Sequence, residues 1–202
     1  MNGHHLLDGK VVVITAAAGT GIGGAAARRC LEEGAQVVIS DQHHGRLAAT
    51  RDELAGTHGD RVLSQPCDVT DEAQVQALIE VAAGHFGRID VLINNASVLG
   101  WRAQPGQAHY AAAKAGVMAF TRCAALDVAA HGIRVNAVAP SLAIHPFLAK
   151  VTSEEVLADL ARREAFGRAA EPWEVANVMV FLASDYAGYM TGEVVSVSAQ
   201  HP

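Results

Sequence analysis

Cysteine is scarce in this 202-residue chain: Cys30, Cys67 and Cys123 lie far apart, with no CxxC pair among them. That excludes a disulfide framework and leaves no thiolate signature for zinc. Positive charge is short as well. Fifteen Lys and Arg stand against twenty-one Asp and Glu, a formal charge of −6 with pI near 5.9. No basic field is there to attract nucleic acid or anionic lipid. No apolar run is long enough to span a bilayer. The opening MNGHHLLDGK has no basic segment followed by an apolar core, so a signal peptide is not expected. The expected setting is cytoplasmic, with a small-molecule substrate and neither nucleic acid nor membrane as partner. Repeats, low-complexity tracts and linkers are missing too. One domain over 1–202 is therefore expected, long enough for a well-buried core.

What is present is a regular alternation of apolar runs and helix-length segments. KVVVIT (10–15) is a β-branched run of the kind a strand buried on both faces requires. Further strands are expected at 35–41, 61–69, 88–96, 133–140 and 193–199, the third of them cut short by Pro66. Helices are expected at 24–34, at 45–56, after Asp71, at 107–132, at 153–165 and at 171–184, with Gly34 and Gly132 as stops and Glu171-Pro172 as a start. This alternation predicts an α/β fold with a parallel sheet covered by helices.

Gly19, Gly21 and Gly23 fall between the first strand and the first helix. Glycines there permit a tight turn and let a phosphate approach the N–H groups of a helix N-terminus. The plainer alternative is a Gly-rich turn that only helps helix and strand to pack. Asp41 ends the second strand about 20 residues later, where a carboxylate receives ribose hydroxyls and repels a 2′-phosphate. With the loop it points to NAD rather than NADP; alone it is equally a cap or a solvated turn residue. Asp68, ending the third strand in CDV, reaches an adenine or merely caps the next helix.

Tyr110 and Lys114 share one helix face, four residues apart, and Ser97 precedes the tyrosine by thirteen. A phenol ionises near pH 10, so it needs a neighbouring cation to act as a base near neutrality. Lys114 one turn away supplies that cation, and Ser97 is placed to polarise a carbonyl. By itself a Tyr/Lys pair is more often a packing feature. The ten histidines, including His4-His5 and His43-His44, have no carboxylate or thiolate at ligand spacing and read as solvated surface. Cys67 reads as a small buried residue rather than a nucleophile. Trp101 and Trp173 read as packing residues, with Trp101 close enough to Ser97 to line a pocket.

Taken together, the glycine loop, CDV, NNA (94–96), the Ser–x12–Tyr–x3–Lys spacing and IRVNAVAPS (133–141) resemble the classical short-chain dehydrogenase/reductase family, in order and over nearly the whole chain. AAAGTGIG and ASVLGWRAQ are similar to actinobacterial members acting on steroids or acyl thioesters. The resemblance implies a doubly wound Rossmann-like sheet and hydride exchange between an alcohol or ketone, steroid-like or 3-oxoacyl-like, and a nicotinamide. It implies Tyr110 as acid/base, Lys114 as ribose ligand and pKa depressor, and Ser97 as hydrogen-bond donor to substrate. Cofactor contacts are implied for Gly19, Gly21, Ile22, Gly23, Asp41, Asp68, Val69, Asn94, Ala96, Pro140 and Ser141, besides Tyr110 and Lys114. A homo-oligomer is implied as well.

The chain departs from the family pattern in places. Ala17 stands at the first glycine, Ser141 follows Pro140 in place of Gly, and His145 stands where Thr is usual. Asn94-Asn95-Ala96 runs directly into Ser97. In the family a helix carrying a catalytic Asn and a further strand intervene. One helix-plus-strand unit of thirty residues or more is thus expected to be absent, leaving one strand fewer and no dimer helix. The alternative reading is a catalytically impaired nucleotide-binding remnant.

Overall fold

The computed structural model describes residues 3–95, 100–101, 105–144 and 146–199. In chain order the elements are β1 (Val11–Ile14), α1 (Ile22–Glu32), β2 (Gln36–Ile39), α2 (His44–His58), β3 (Val62–Ser64), α3 (Glu72–Phe86) and β4 (Val91–Asn95). Then come α4 (Ala108–Val128), β5 (Ala137–Pro140), α5 (Pro146–Val151), α6 (Glu154–Arg163), α7 (Pro172–Ala183) and β6 (Val194–Val197). Among the described residues the strands form one sheet in the order β3-β2-β1-β4-β5-β6, every neighbour parallel. This is the Rossmann-like doubly wound arrangement, and its order reverses between β1 and β4.

Local chemistry sets the element ends. The Asp71 carboxylate accepts the amides of Ala73 and Gln74 and so starts α3, which stops at Gly87 in the left-handed region. Pro172 occupies the first turn of α7, while the Glu171 amide donates to Glu174 Oε2 at 2.8 Å. β3 ends two residues before Pro66, as the sequence indicates. β5 is shorter than the expected 133–140. Arg134 instead donates to the carbonyls of Leu182, Ser184 and Met190, and Asn136 to that of Met190, tying this stretch to the end of α7. β4 likewise opens at Val91 rather than 88, since Asp90 spends its carboxylate on the Val11 amide. The short α5 has no counterpart in the sequence reading.

One sheet face carries α1, α2 and α7 over a continuous core. Val12, Ile14, Val37, Ile39, Ile93 and Val138 of the strands meet Leu31, Leu47, Leu54, Val175 and Val180 of the helices. Its edge is closed by Glu33, fully buried, which accepts from the amides of His4 (2.7 Å) and Leu6 (3.3 Å) and pairs with Arg29 at 2.6 Å. Burial opposes its ionisation, but these donors outweigh burial and hold its carboxyl below the usual range. Arg29 also reaches Asn177 on α7 at 2.9 Å, so the N-terminal segment, α1 and α7 are locked together.

The opposite face differs. Its core falls into two clusters: Val13, Val38, Cys67, Leu78 and Ala82 beneath α3, and Met118, Ala137 and Ala139 beneath α4. Between them lies β4. Leu92, in register with Val13 and on the same face, is 47% exposed, whereas the next residue, Ile93, on the covered face, is 8% exposed. A central strand of a parallel sheet normally has both faces covered. The helices show the same imbalance: α4 buries Met118, Thr121 and Ala125 of its 21 residues, whereas α7 buries six of twelve.

The two faces of β4 should therefore answer mutation differently. Ile93→Ala should cost about 2–5 kcal/mol. Leu92→Ala should cost about 1 kcal/mol, because roughly half of its area is already in water. Urea midpoints of the two variants measure the difference, and equal losses would show that Leu92 is covered in solution.

Candidate functional site

The loop from β1 to α1 is held from behind by β2 and α2. Ala17 donates its amide to the Ser40 carbonyl (2.9 Å), Ala18 to Asp41 Oδ2 (3.4 Å) and Gly19 to Thr50 Oγ1 (2.8 Å). Arg28 closes the turn by donating to the Gly19 carbonyl at 3.2 Å while pairing with Glu53. Gly19 takes φ +88°, a conformation that disfavours any side chain. Gly23 is required for a different reason: a Cβ there would lie 2.4 Å from the Ala16 carbonyl oxygen. Helix and loop backbones thus touch. Gly21 is the residue before α1, with no side-chain cap and no acidic residue in the first turn. The first turn of α1 thus has neither a capping side chain nor a negative charge, an arrangement complementary to an anion.

Asp41 stands just after β2, its side chain 11% exposed. Oδ1 accepts the His43 amide at 2.9 Å and lies 3.8 Å from Arg46. The sequence reading did not mark Thr50, Arg28 or Arg46, because nothing in the order of residues shows which α2 side chains turn back onto the loop. His43 caps α2 by accepting the Arg46 amide, and no group of metal-ligating side chains occurs among the described residues.

Asp68 has no capping role. Its carboxylate accepts the amide and hydroxyl of Thr70, which hold its pKa low, and the neighbouring Asp71 caps α3 instead. Val69 beside it is exposed and faces a hollow of about 560 Å³ between β1 and β4, where the strand order reverses. Thr15, Ala16, Ile22 and Gly23 of the glycine loop line the same hollow, as does Lys114 from α4. Burial lowers the Lys114 pKa. Its Nζ lies 5.6 Å from the centre of the Tyr110 ring, so the two share a helix face as their spacing requires. Tyr110 is 38% exposed.

Other expected site residues are placed elsewhere. Ser97 and Ala96 lie outside the described residues; Asn94 lies in β4, paired with Ala137. Pro140 ends β5, and Ser141 after it lines a separate hollow of about 190 Å³ that includes Glu164 and Arg168. There Ser141 donates its hydroxyl to Glu164 Oε2 at 3.1 Å. The glycine loop and Lys114 are thus brought together, and Ser141 turns toward the other hollow. Trp101 and Trp173 are 47% and 44% exposed, more open than packing residues would be. Cys67 is buried and burial raises its pKa, as an inert thiol requires.

Comparison with known proteins bears on this geometry. A family model described as short chain dehydrogenase matches residues 10–104, and one described as enoyl-(acyl carrier protein) reductase matches 96–199. The chain is similar to (5R,7aS)-5-hydroxy-7a-methyl-1-oxo-2,3,5,6,7,7a-hexahydro-1H-indene-carboxyl-CoA reductase of Mycobacterium tuberculosis. That match is 52% identical over 251 positions, covering 99% of this chain and 96% of the relative. It is also similar to cis-4-hydroxycyclohexanecarboxylate dehydrogenase of Sinomonas cyclohexanicum, 37% identical, covering 93% and 94%. A crystal structure of a short chain dehydrogenase from Mycobacterium smegmatis superposes with a TM-score of 0.86 at 46% identity, covering 100% of this chain and 97% of that one.

The close approach at Gly23 makes a discriminating test of the loop. Ala is the better helix former by about 1 kcal/mol, yet Gly23→Ala should destabilise by about 1–3 kcal/mol, because the added methyl collides with backbone. A rise in the urea midpoint would mean that helix and loop do not touch.

Proposed function

The chain belongs to the short-chain dehydrogenase family of oxidoreductases, and from that premise we propose that it exchanges hydride between an alcohol/ketone substrate and NAD(H). The carrying observation is the hollow at the point where the strand order reverses, bordered by the uncapped start of α1 on one side and Lys114 on the other. The whole of 1–202 acts as one dinucleotide-binding catalytic domain in this reading. A bound nicotinamide supplies or accepts the hydride. Gly21, Ile22 and Gly23 hold the pyrophosphate with backbone amides and Gly19 gives the turn that brings it close, while Asp41 holds the adenosine ribose and repels a 2′-phosphate. Asp68, Val69, Asn94, Ala96, Pro140 and Ser141 complete the cofactor contacts.

Tyr110 gives or takes the proton at the substrate oxygen. Lys114, on the same helix face, is its cationic neighbour, and its ammonium also meets the nicotinamide ribose. Ser97 holds the substrate oxygen by a hydrogen bond. Two relatives have names describing hydroxylated six-membered rings bearing a carboxyl group or its thioester, which supports an alicyclic hydroxy or oxo acid derivative as substrate. The chain works as a homo-oligomer in this proposal.

A second reading is favoured by the exposed Leu92 and the split core over β4. The match to the mycobacterial reductase spans 251 positions against 202 residues, so at least 49 positions have no residue here. The two family matches meet at 96–104, where Asn-Asn-Ala runs into Ser97. An internal helix-plus-strand unit, and with it one strand and a dimer helix, would be missing at that junction. Losing a strand moves later elements by about 4.8 Å, while roughly a hundredfold in rate is lost per ångström of misplacement. Nucleotide binding would then outlast turnover.

Thermal unfolding with added NADH, and separately NADPH, tests binding; a ketone panel tests turnover. Stabilisation of about 2.7 kcal/mol is expected at a hundredfold excess of NADH over its Kd, with little from NADPH. Tyr110→Phe should remove turnover by about 10²–10⁴-fold without changing the NADH response. Binding without turnover in the parent chain selects the second reading, and indifference to both nucleotides rejects both.

A further inference from the structure

Side chains from two helices grip the glycine loop at Gly19. The Gly19 amide donates to Thr50 Oγ1 at 2.8 Å, and its carbonyl accepts from Arg28 at 3.2 Å. That carbonyl also lies against the backbone of α1, leaving no room for a Cβ at Gly24. Gly19 has no side chain to anchor it, so these backbone contacts fix where the turn sits. Of the two grips the one through Arg28 is the looser, because Glu53, which steadies the guanidinium, is 61% exposed. Thr50 is 4% exposed. Its hydroxyl carries one proton. The Gly19 amide can only donate, so that proton goes to the Arg46 carbonyl, 2.9 Å away and one turn back on α2. The hydroxyl is thus oriented from both sides.

The bonds continue beyond Thr50. The Arg46 amide donates to His43 Nδ1 at 3.2 Å, and the His43 amide to Asp41 Oδ1 at 2.9 Å. One turn of helix and a chain of hydrogen bonds therefore join the carboxylate after β2 to the turn before α1. We propose that Thr50 is a positioning residue for the nucleotide: through Gly19 it pre-sets the amides that receive the pyrophosphate, in fixed relation to Asp41. The Gly19 amide itself is spent on Thr50, and what it secures is the stretch leading into Gly21, Ile22 and Gly23. Without the hydroxyl that amide loses its partner, the turn loosens, and the ligand must order it on binding, which lowers affinity. The identity of the anion rests on the nicotinamide reading, whereas the grip on Gly19 does not.

Thr50→Val keeps the shape of the side chain and removes the hydroxyl, whereas Thr50→Ser keeps the hydroxyl. Amide exchange of the full chain without nucleotide, followed by NMR, should show Gly19 protected in the parent and in Thr50→Ser. In Thr50→Val that amide should exchange about tenfold faster or more, with β1 and β2 unchanged. The Kd for NADH should rise about tenfold in Thr50→Val and change little in Thr50→Ser. Adenosine, which carries no phosphate, should bind parent and variants alike. Thr50→Ala, which makes no demand on space, repeats each comparison. An unprotected Gly19 in the parent, or NADH binding undiminished in both Thr50→Val and Thr50→Ala, overturns the proposal. So does an equal loss of adenosine, the mark of a general loosening of α2. A parent that ignores NADH, yet whose Gly19 protection is lost in Thr50→Val, upholds the grip and rejects only the nicotinamide reading. A parent and a Thr50→Val chain that bind NADH equally reject only the role given to Thr50.

Discussion

Everything in this molecule turns on the requirement that a parallel sheet be covered on both faces. Its strands are apolar on both sides and its crossovers must be long, so each face needs a layer of helices. One face meets the requirement in full: α1 and α7 lie over β1 and its neighbours, and Arg29 and Glu33 tie them to the N-terminal segment. The other meets it only at its flanks, α3 over β1–β3 and α4 over β5. The gap over β4 explains the exposure of Leu92, the small buried fraction of α4 and the hollow beside Lys114 as a single fact.

The nucleotide end is built on the complete face, and that sets what it can do. The glycine loop leans on Thr50 and Asp41, whose elements are packed into the continuous core, so its backbone amides are fixed before any ligand arrives. Tyr110 and Lys114 ride instead on α4, which buries three of its 21 residues. The two halves of the proposed reaction therefore rest on supports of unequal rigidity. Binding that begins at the loop would have to position a helix held mainly by Met118, Thr121 and Ala125.

Much of this was legible in the sequence. β-branched runs and helix stops gave the strand and helix order, and Asp71 and Glu171-Pro172 mark boundaries found in the structure. The spacing of Tyr110 and Lys114 placed them on one face, since an i, i+4 relation is local. What was hidden is what depends on distant partners. Asp68 read as an adenine contact or a cap, and only the fold shows that the cap is Asp71 while Thr70 donates to Asp68. That the Ser141 hydroxyl meets Glu164, twenty-three positions on, has no local signal. Leu92 reads as any apolar strand residue, and its exposure shows only once the described helices are seen to leave it uncovered.

The seam between β4 and β5 has a further consequence, for cooperativity. Among the described residues Asn94↔Ala137 and Asn95↔Val138 pair across it. Among the described residues α3 and α4 pack in separate clusters on one face, while the covered face bridges the seam through Ile93, Val138 and α7. Such a boundary divides a chain into units that open at different free energies. Amide protons of β1 and β2 would exchange only through global unfolding. Those of β5, β6 and α4 would exchange through a smaller opening that leaves the glycine loop in place.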